Sequence, residues 1–310
     1  GLINDTIPPQ FIKMTPASNN YIYGNQPFSV VGNDNVGVAK TALYYSTDPE
    51  APLESWTLID EHNGSSYSQN IDTTVMPNGV VYVVAKIYDA VGNFTYSPKQ
   101  RYMCDNQGPE QVKNVKCIAV DGTTATLSWS DVSDDDISYF VVECKQSDGV
   151  WKSVSRTSTN LGVNLSGLTP EHDYVYRVIG YDKRSNRGTP SEEITVTTLK
   201  DTICPKVTKI TPDPGYFKSE INLRFTAEDD YRVKSIEIQT STDKESWKTV
   251  SEIKATGESA KCTFDCKLDL KNYEEGSVFV RAKVYDSYGN VTEDKAVSYT
   301  HLRAHETELH

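Results

Sequence analysis

Val80–Thr95 reads VVYVVAKIYDAVGNFT, and a close copy, SVFVRAKVYDSYGNVT, returns at Ser277–Thr292. A degenerate third copy, YVYRVIGYDKRSN, lies between them at Tyr174–Asn186. All three keep an aromatic-Asp pair (Tyr88-Asp89, Tyr181-Asp182, Tyr285-Asp286) and a later Asn (Asn93, Asn186, Asn290). Within each copy apolar and polar residues alternate with a period of two, the mark of a half-buried strand. A turn bearing Gly or Asn follows, then a second β-prone run, so each stretch is expected to be a hairpin. Copies about a hundred residues apart divide the chain into three antiparallel β-sandwiches.

Working outward from the hairpins, the first and last thirds repeat other landmarks in the same order. The lead-in NDTIPPQFIKMTP is matched by KDTICPKVTKITP at Lys200–Pro212, aligning Asp5 with Asp201 and Pro9 with Pro205. Proline cannot donate to a ladder and fixes its own φ, so both lead-ins read as stiff linkers running into an interrupted edge strand. Next come two alternating strands around an acidic turn, Asn33-Asp34-Asn35 or Glu228-Asp229-Asp230, then a Ser-Thr-Asp turn and a Trp (Trp56, Trp247). The middle third places Trp151 equivalently. These three tryptophans are expected to cover one edge of each core, with a sugar-stacking platform as the rival role. The one brief charged stretch that could be helical, Asp269 to Glu275, is read as a turn.

The 310 residues suit two or three domains, and the repeat selects three. A formal net charge of −12 argues against nucleic-acid or anionic-membrane surfaces, which need clustered Lys and Arg. The longest apolar runs are a few residues, far short of the roughly 20 of a membrane-spanning helix. No basic n-region and apolar h-region open the chain, which is read as an internal piece of something longer. Six cysteines do not recur at equivalent places and are expected to be lone thiols, one unpredicted bridge being the alternative. Cys262 and Cys266 on one strand would stand about 13 Å apart, too far to bridge without a bend.

Residues of the middle third resemble the fibronectin type III family. They are Pro109, the alternating Val115, Cys117 and Ala119, Leu127 and Trp129, Tyr139, and LTPEHDYVYRV. The resemblance implies that Trp129 is the inter-sheet core tryptophan. It also implies that Tyr174 is the tyrosine corner, its hydroxyl tied back to the backbone. No Arg-Gly-Asp tripeptide is present, which removes that family's integrin-binding mode. The outer thirds resemble bacterial Ig-like repeats through the Asp-Thr-x-x-Pro lead-in, the acidic turn before a Val, the Ser-Thr-Asp turn and the Tyr-Asp-x-x-Gly-Asn hairpin. From Val297 to Thr307, VSYTHLRAHET resembles a translated sequencing adapter, which implies a metagenomic, bacterial source and sets His301, His305 and His310 aside. The domain expectation is therefore 1–106 Ig-like, 107–200 fibronectin type III, 201–299 Ig-like, and 300–310 a non-native tail.

Two chemistries compete for the acidic residues. Asp and Asn side chains hydrogen-bond their own backbone in tight turns, which suffices to account for Asp89 with Asn93 and Asp286 with Asn290. Calcium, wanting six to eight oxygens, is the rival, with Asp34, Asp89, Asp229 and Asp286 as candidate ligands beside Asp5 or Asp201. Asp134-Asp135-Asp136 is read as a solvated loop. No catalytic constellation is visible: His62 and His172 lie in no motif, and neither G-x-S-x-G nor H-E-x-x-H occurs. The expected role is that of a non-catalytic spacer in a cell-surface or secreted bacterial protein, without cofactor unless calcium, its partners the neighbouring domains of the parent chain. The alternatives are adhesin modules binding glycan or a host protein, and accessory modules of a secreted carbohydrate-active enzyme or a YD-repeat protein.

Overall fold

In the computed structural model, which describes residues 4–303, almost every regular element is a strand. The first third contributes β1 (Gln10–Thr15), β2 (Asn20–Ile22), β3 (Asn25–Asn33), β4 (Val38–Ser46), β5 (Thr57–Asn63), β6 (Tyr67–Asp72), β7 (Gly79–Asp89), β8 (Phe94–Tyr96) and β9 (Gln100–Cys104). The middle third supplies β10 (Lys116–Val120), β11 (Ala125–Ser128), β12 (Ile137–Lys145), β13 (Trp151–Thr157), β14 (Gly162–Leu165), β15 (Asp173–Asp182) and β16 (Ile194–Thr197). The last contains β17 (Lys206–Thr211), β18 (Tyr216–Phe217), β19 (Glu220–Glu228), β20 (Val233–Ser241), β21 (Lys248–Lys254), β22 (Lys261–Asp269), β23 (Gly276–Asp286), β24 (Val291–Glu293) and β25 (Val297–His301).

The outer sandwiches share one topology. A three-stranded sheet, β1-β3-β6 or β17-β19-β22, belongs with a larger one ordered β2-β9-β7-β4-β5 or β18-β25-β23-β20-β21. The quoted hairpin stretches supply β7 and β8 in one and β23 and β24 in the other. Irregularities recur too: the register slips between Phe11 and Lys13 on β1 and between Val207 and Lys209 on β17. The middle sandwich is built from β10-β11-β14 and β13-β12-β15-β16.

By packing, the chain resolves into two compact units. One extends as far as Val112 and includes Val132–Val141 and Ile179–Pro190. Its core lies between the two sheets of the first sandwich and contains Ile22, Phe28, Leu43, Val83, Ile87 and Tyr102. The Tyr102 ring meets Phe28 edge-on at 5.7 Å, and its hydroxyl donates to the Pro16 carbonyl at 2.6 Å. That bond satisfies the polar tip of a fully buried ring, which would otherwise cost free energy.

The second unit comprises Lys113–Asp131, Val142–Val178 and the chain from Ser191 onward. Its largest core belongs to the third sandwich, with Leu223, Phe225, Ile238, Phe264, Val278 and Tyr299. β23 shows the cause of its placement: Val278, Val280, Ala282 and Val284 alternate inward and are buried. Tyr299 repeats the Tyr102 arrangement, donating to the Pro212 carbonyl at 2.7 Å. Among the middle-sandwich residues of this unit, Leu127, Trp129, Leu165, Tyr176 and Val178 are buried.

In detail the structure keeps to the sequence reading at some points and departs from it at others. Asp269–Glu275 leads out of a strand into a turn, whereas single 3₁₀ turns occur at Leu53–Ser55 and Thr73–Val75. β25 runs through His301, two residues past the expected boundary at 299. His301 is buried, with Nδ1 3.1 Å from the Glu274 carbonyl and Nε2 3.1 Å from that of Lys218. The remaining expected tail, 304–310, lies outside the described residues. All six cysteines are free thiols. Burial pushes the Cys104, Cys144, Cys262 and Cys266 thiols above their ordinary pKa.

Candidate metal centre

Each hairpin Asp meets a linker Asp and a loop Asp, giving three triads: Asp5-Asp34-Asp89, Asp105-Asp136-Asp182 and Asp201-Asp229-Asp286. In each, one carboxylate oxygen per residue lies within 4.8 Å of the others. The same local chemistry builds all three. The hairpin Asp is fixed by its own turn: Asp89 Oδ1 accepts from the Val91 and Asn93 amides, and Asp286 Oδ1 from those of Tyr288 and Asn290. Asp182 does likewise with Arg184 and Asn186. These bonds are the expected turn bonds, but they do not use up the site.

The Asn that ends the turn ties the linker down. Asn93 Nδ2 donates to Asp89 Oδ2 at 2.7 Å and to the Asp5 carbonyl at 3.0 Å. Asn186 joins Asp182 and the Asp105 carbonyl, and Asn290 joins Asp286 and the Asp201 carbonyl, each linker contact again at 3.0 Å. The turn also needs positive φ one residue earlier, met by Gly92 (φ 99°), Gly289 (φ 85°) and, in the middle copy, Ser185 (φ 60°).

The linker and loop aspartates are held by one oxygen each. Asp201 Oδ1 accepts from the Ile203 amide, and Asp229 Oδ2 from the Tyr231 and Arg232 amides. Asp5 Oδ1 and Asp34 Oδ2 are held in the same manner, by Ile7, and by Val36 and Gly37. No donor among the described residues reaches the other oxygen of these four carboxylates, Asp5 Oδ2, Asp34 Oδ1, Asp201 Oδ2 and Asp229 Oδ1, all of which are buried.

The middle triad is different because it carries its own cation. Arg184 Nε lies 3.5 Å from Asp105 Oδ2, and Nη1 lies 3.4 Å from Asp136 Oδ2. The guanidinium is covered by the Tyr21 ring, 3.3 Å from its centroid, a placement that favours a desolvated cation. Asp136 is therefore part of a charged cluster and not simply one of three residues in a solvated loop.

Like charges this close repel by about 3 kcal/mol per pair at an effective dielectric of about 20. The carboxyls respond accordingly. Burial first, then the charges of Asp182 and Asp136, push Asp105 up to about 6 despite Arg184. Asp201 rises to about 6, chiefly by burial and then through Asp230 and Asp286 against the Ile203 amide. Burial raises Asp229 to about 7, with Asp230, Asp201 and Asp286 adding to it against the Tyr231 amide. For Asp89 burial acts upward, but the Asn93 side chain and the Val91 and Asn93 amides outweigh it and hold the carboxyl below its usual range.

Around the third triad, the middle sandwich comes close. A Cβ on Gly122 would stand 3.1 Å from the Asp201 Cα, Thr123 Oγ1 donates to Asp230 Oδ2 at 3.2 Å, and the Tyr288 hydroxyl donates to Glu171 at 3.3 Å.

The aromatic residues singled out from the sequence are placed as follows. Trp129 is buried. The Tyr174 hydroxyl oxygen accepts from the Thr169 amide at 2.7 Å. Trp56 is buried and donates from Nε1 to the Ala51 carbonyl. Trp151 and Trp247 are half-buried under guanidinium groups, Arg177 and Arg281, each 4.1 Å from the ring centroid. Each of those cations occupies one face of its ring.

The fibronectin type III domain family matches residues 110–197. No protein of curated function matches the chain. Among solved structures, a fibronectin type-III domain of human fibronectin type III domain containing protein 3 is similar at 25% identity, covering 32% of this chain and 93% of that one, with a TM-score of 0.29. The fibronectin(III)-like modules of Clostridium thermocellum CbhA are similar at 16% identity over 62% of this chain and 94% of theirs, with a TM-score of 0.34.

Proposed function

We propose that this chain is a run of non-catalytic modules from an extracellular protein, whose task is to space or present the neighbouring regions of the parent chain. Fibronectin type III modules commonly serve as linker or binding modules, and they are common in extracellular proteins. Among the described residues no helix is long and apolar enough to cross a membrane. The observation that carries the spacer reading is the clamp repeated at all three lead-ins. Asn93, Asn186 and Asn290 each fasten a linker carbonyl to the hairpin of the sandwich that follows. A spacer holds its cargo at a distance only if its joints resist rotation, and a side chain bonded to linker backbone supplies that resistance. The bacterial Ig-like reading of the outer sandwiches belongs to the same proposal.

Small-angle scattering of the intact chain tests it. Wild-type protein is expected to give a narrow size distribution that the double variant Asn186→Ala/Asn290→Ala broadens. Identical profiles would remove the clamp as the basis of the spacer. A glycan array returning specific hits would move the assignment to a binding module.

A further inference from the structure

The third triad has the makings of a site that the turn bonds alone do not explain. Asp201 is 2% exposed and Asp286 is fully buried, so neither carboxylate has water to replace a missing partner. Asp201 Oδ2 and Asp229 Oδ1 are buried with no donor among the described residues. The other oxygen of each is held by backbone amides, which orients the carboxylate. Asn290 fixes the third carboxylate and the Asp201 carbonyl at once. This is the outer-shell bonding that orients metal ligands. Buried polar atoms are ordinarily partnered, and buried charges are paired or coordinate a metal.

We propose that Asp201, Asp229 and Asp286 bind a calcium ion at the junction of the linker with the third sandwich. The donor set is entirely oxygen and includes no His or Cys, which favours a hard cation over zinc or copper. Calcium–oxygen bonds of about 2.3–2.6 Å put opposite ligands roughly 4.6–5.2 Å apart. Carboxylate oxygens within 4.8 Å of one another can therefore share one ion. Three carboxylates offered by two turns and a linker suit calcium's flexible shell better than the strict octahedron that magnesium demands.

The middle triad supplies the internal contrast. Its hairpin reads Asp182-Lys183-Arg184-Ser185-Asn186 where the third reads Asp286-Ser287-Tyr288-Gly289-Asn290, so Arg184 stands where Tyr288 does. Arg184 reaches two of the three middle carboxylates. The charge that a guanidinium supplies there is supplied by calcium in the third triad. The first triad has Val91 at the same position and leaves Asp5 Oδ2 and Asp34 Oδ1 without donors. Its linker aspartate, Asp5, is only half-buried where Asp201 is buried, so calcium is assigned to the third triad alone.

The experiment is calcium titration of the intact, chelator-treated chain by calorimetry, with thermal melting followed in parallel. Calcium chloride is expected to bind in the range of extracellular modules, about 10⁻⁴–10⁻³ M or tighter, and to raise the melting temperature, magnesium chloride giving a smaller rise. Asp229→Asn keeps an oxygen for the Tyr231 and Arg232 amides, so it should fold. It is expected to weaken the binding about tenfold or more and to lose the thermal shift. Tyr288→Arg imitates the middle triad and should melt higher than wild type without calcium and gain nothing from it. Absence of calcium binding by the wild-type chain at about 10 mM, a limit beyond the range above, would overturn the assignment. So would binding and thermal shift that persist unchanged in Asp229→Asn.

Discussion

Tyr174 and the aspartates show how far a single side chain is decided by its partners. The Tyr174 hydroxyl accepts the Thr169 amide at 2.7 Å, the backbone tie that the Leu168-Thr169-Pro170 turn leads one to expect. Removing it leaves a part-buried donor without that partner, so Tyr174→Phe should destabilise the protein by about 1–3 kcal/mol in urea unfolding. A neutral result would deny the tie any energetic weight. The carboxyls divide by sign. Those of Asp72, Asp121 and Asp243 are held below their usual range, mainly by the Thr74 side chain, the Thr124 side chain and the Ser246 amide. A depressed pKa contributes stability that is present above the unfolded value near 4 and lost as pH falls through the folded one. Asp105, Asp201 and Asp229, raised to about 6, 6 and 7, have the opposite sign. Their contribution is complete below about pH 4 and is lost as pH rises through 6 to 7. Metal-free protein should therefore melt highest at about pH 4 in scanning calorimetry, falling as the pH drops below that and as it rises towards about 7. A melting temperature still climbing at about pH 8 would contradict that sign.

At the scale of elements, the lead-in segments dock on hairpins by backbone, and small residues make this possible. A Cβ on Gly188 would lie 2.6 Å from the Pro109 carbonyl oxygen and 2.7 Å from that of Gly180. Both are backbone atoms that cannot swing away. Gly188→Ala should therefore destabilise the protein by about 1–3 kcal/mol, where an unhindered Gly→Ala stabilises by about 0.4–1 kcal/mol; denaturant midpoints distinguish the two. The hairpins were legible in the sequence because their two-residue period and their Asp and Asn recur, and the outer sheets follow from that repeat. The acidic sites were legible only in part. Asp34, Asp89, Asp229 and Asp286 stand out as repeated turn residues, and Asp5 and Asp201 as the shared start of a linker. Asp105 has no such frame, since its linker lacks the Asp-Thr-x-x-Pro pattern, and Asp136 is one of three consecutive aspartates that spacing cannot separate. Arg184 was unreadable as a counter-ion because its reach to Asp105 spans 79 positions of chain and exists only once the hairpin has docked. The retained Asp182 and Asn186 were the available signal that the middle copy would build the same cluster.

For the molecule as a whole, the decisive property is that the outer sandwiches keep separate cores. Phe28 and Tyr102 belong to one apolar cluster and Phe225 and Tyr299 to another, and neither cluster contains a residue of the other. The repeated sequence makes these cores alike, yet it cannot say whether their strands stay in place or exchange. The pairing shows that they stay: β3 pairs with β1 and β6, and β19 with β17 and β22. Private cores imply local failure. Phe28 and Phe225 are fully buried, so Phe28→Ala and Phe225→Ala should each destabilise the sandwich they belong to by about 3–5 kcal/mol through lost burial and the cavity left behind. Hydrogen exchange with mass spectrometry reads where that loss falls. In Phe28→Ala, faster exchange should be confined to β1 through β9, and peptides from β17 through β25 should exchange as in wild type; Phe225→Ala should give the reverse. Exchange that quickens in both sandwiches after either substitution would show that they unfold as one cooperative body. A chain of modules able to lose one member without losing the next would then be the wrong description of this protein.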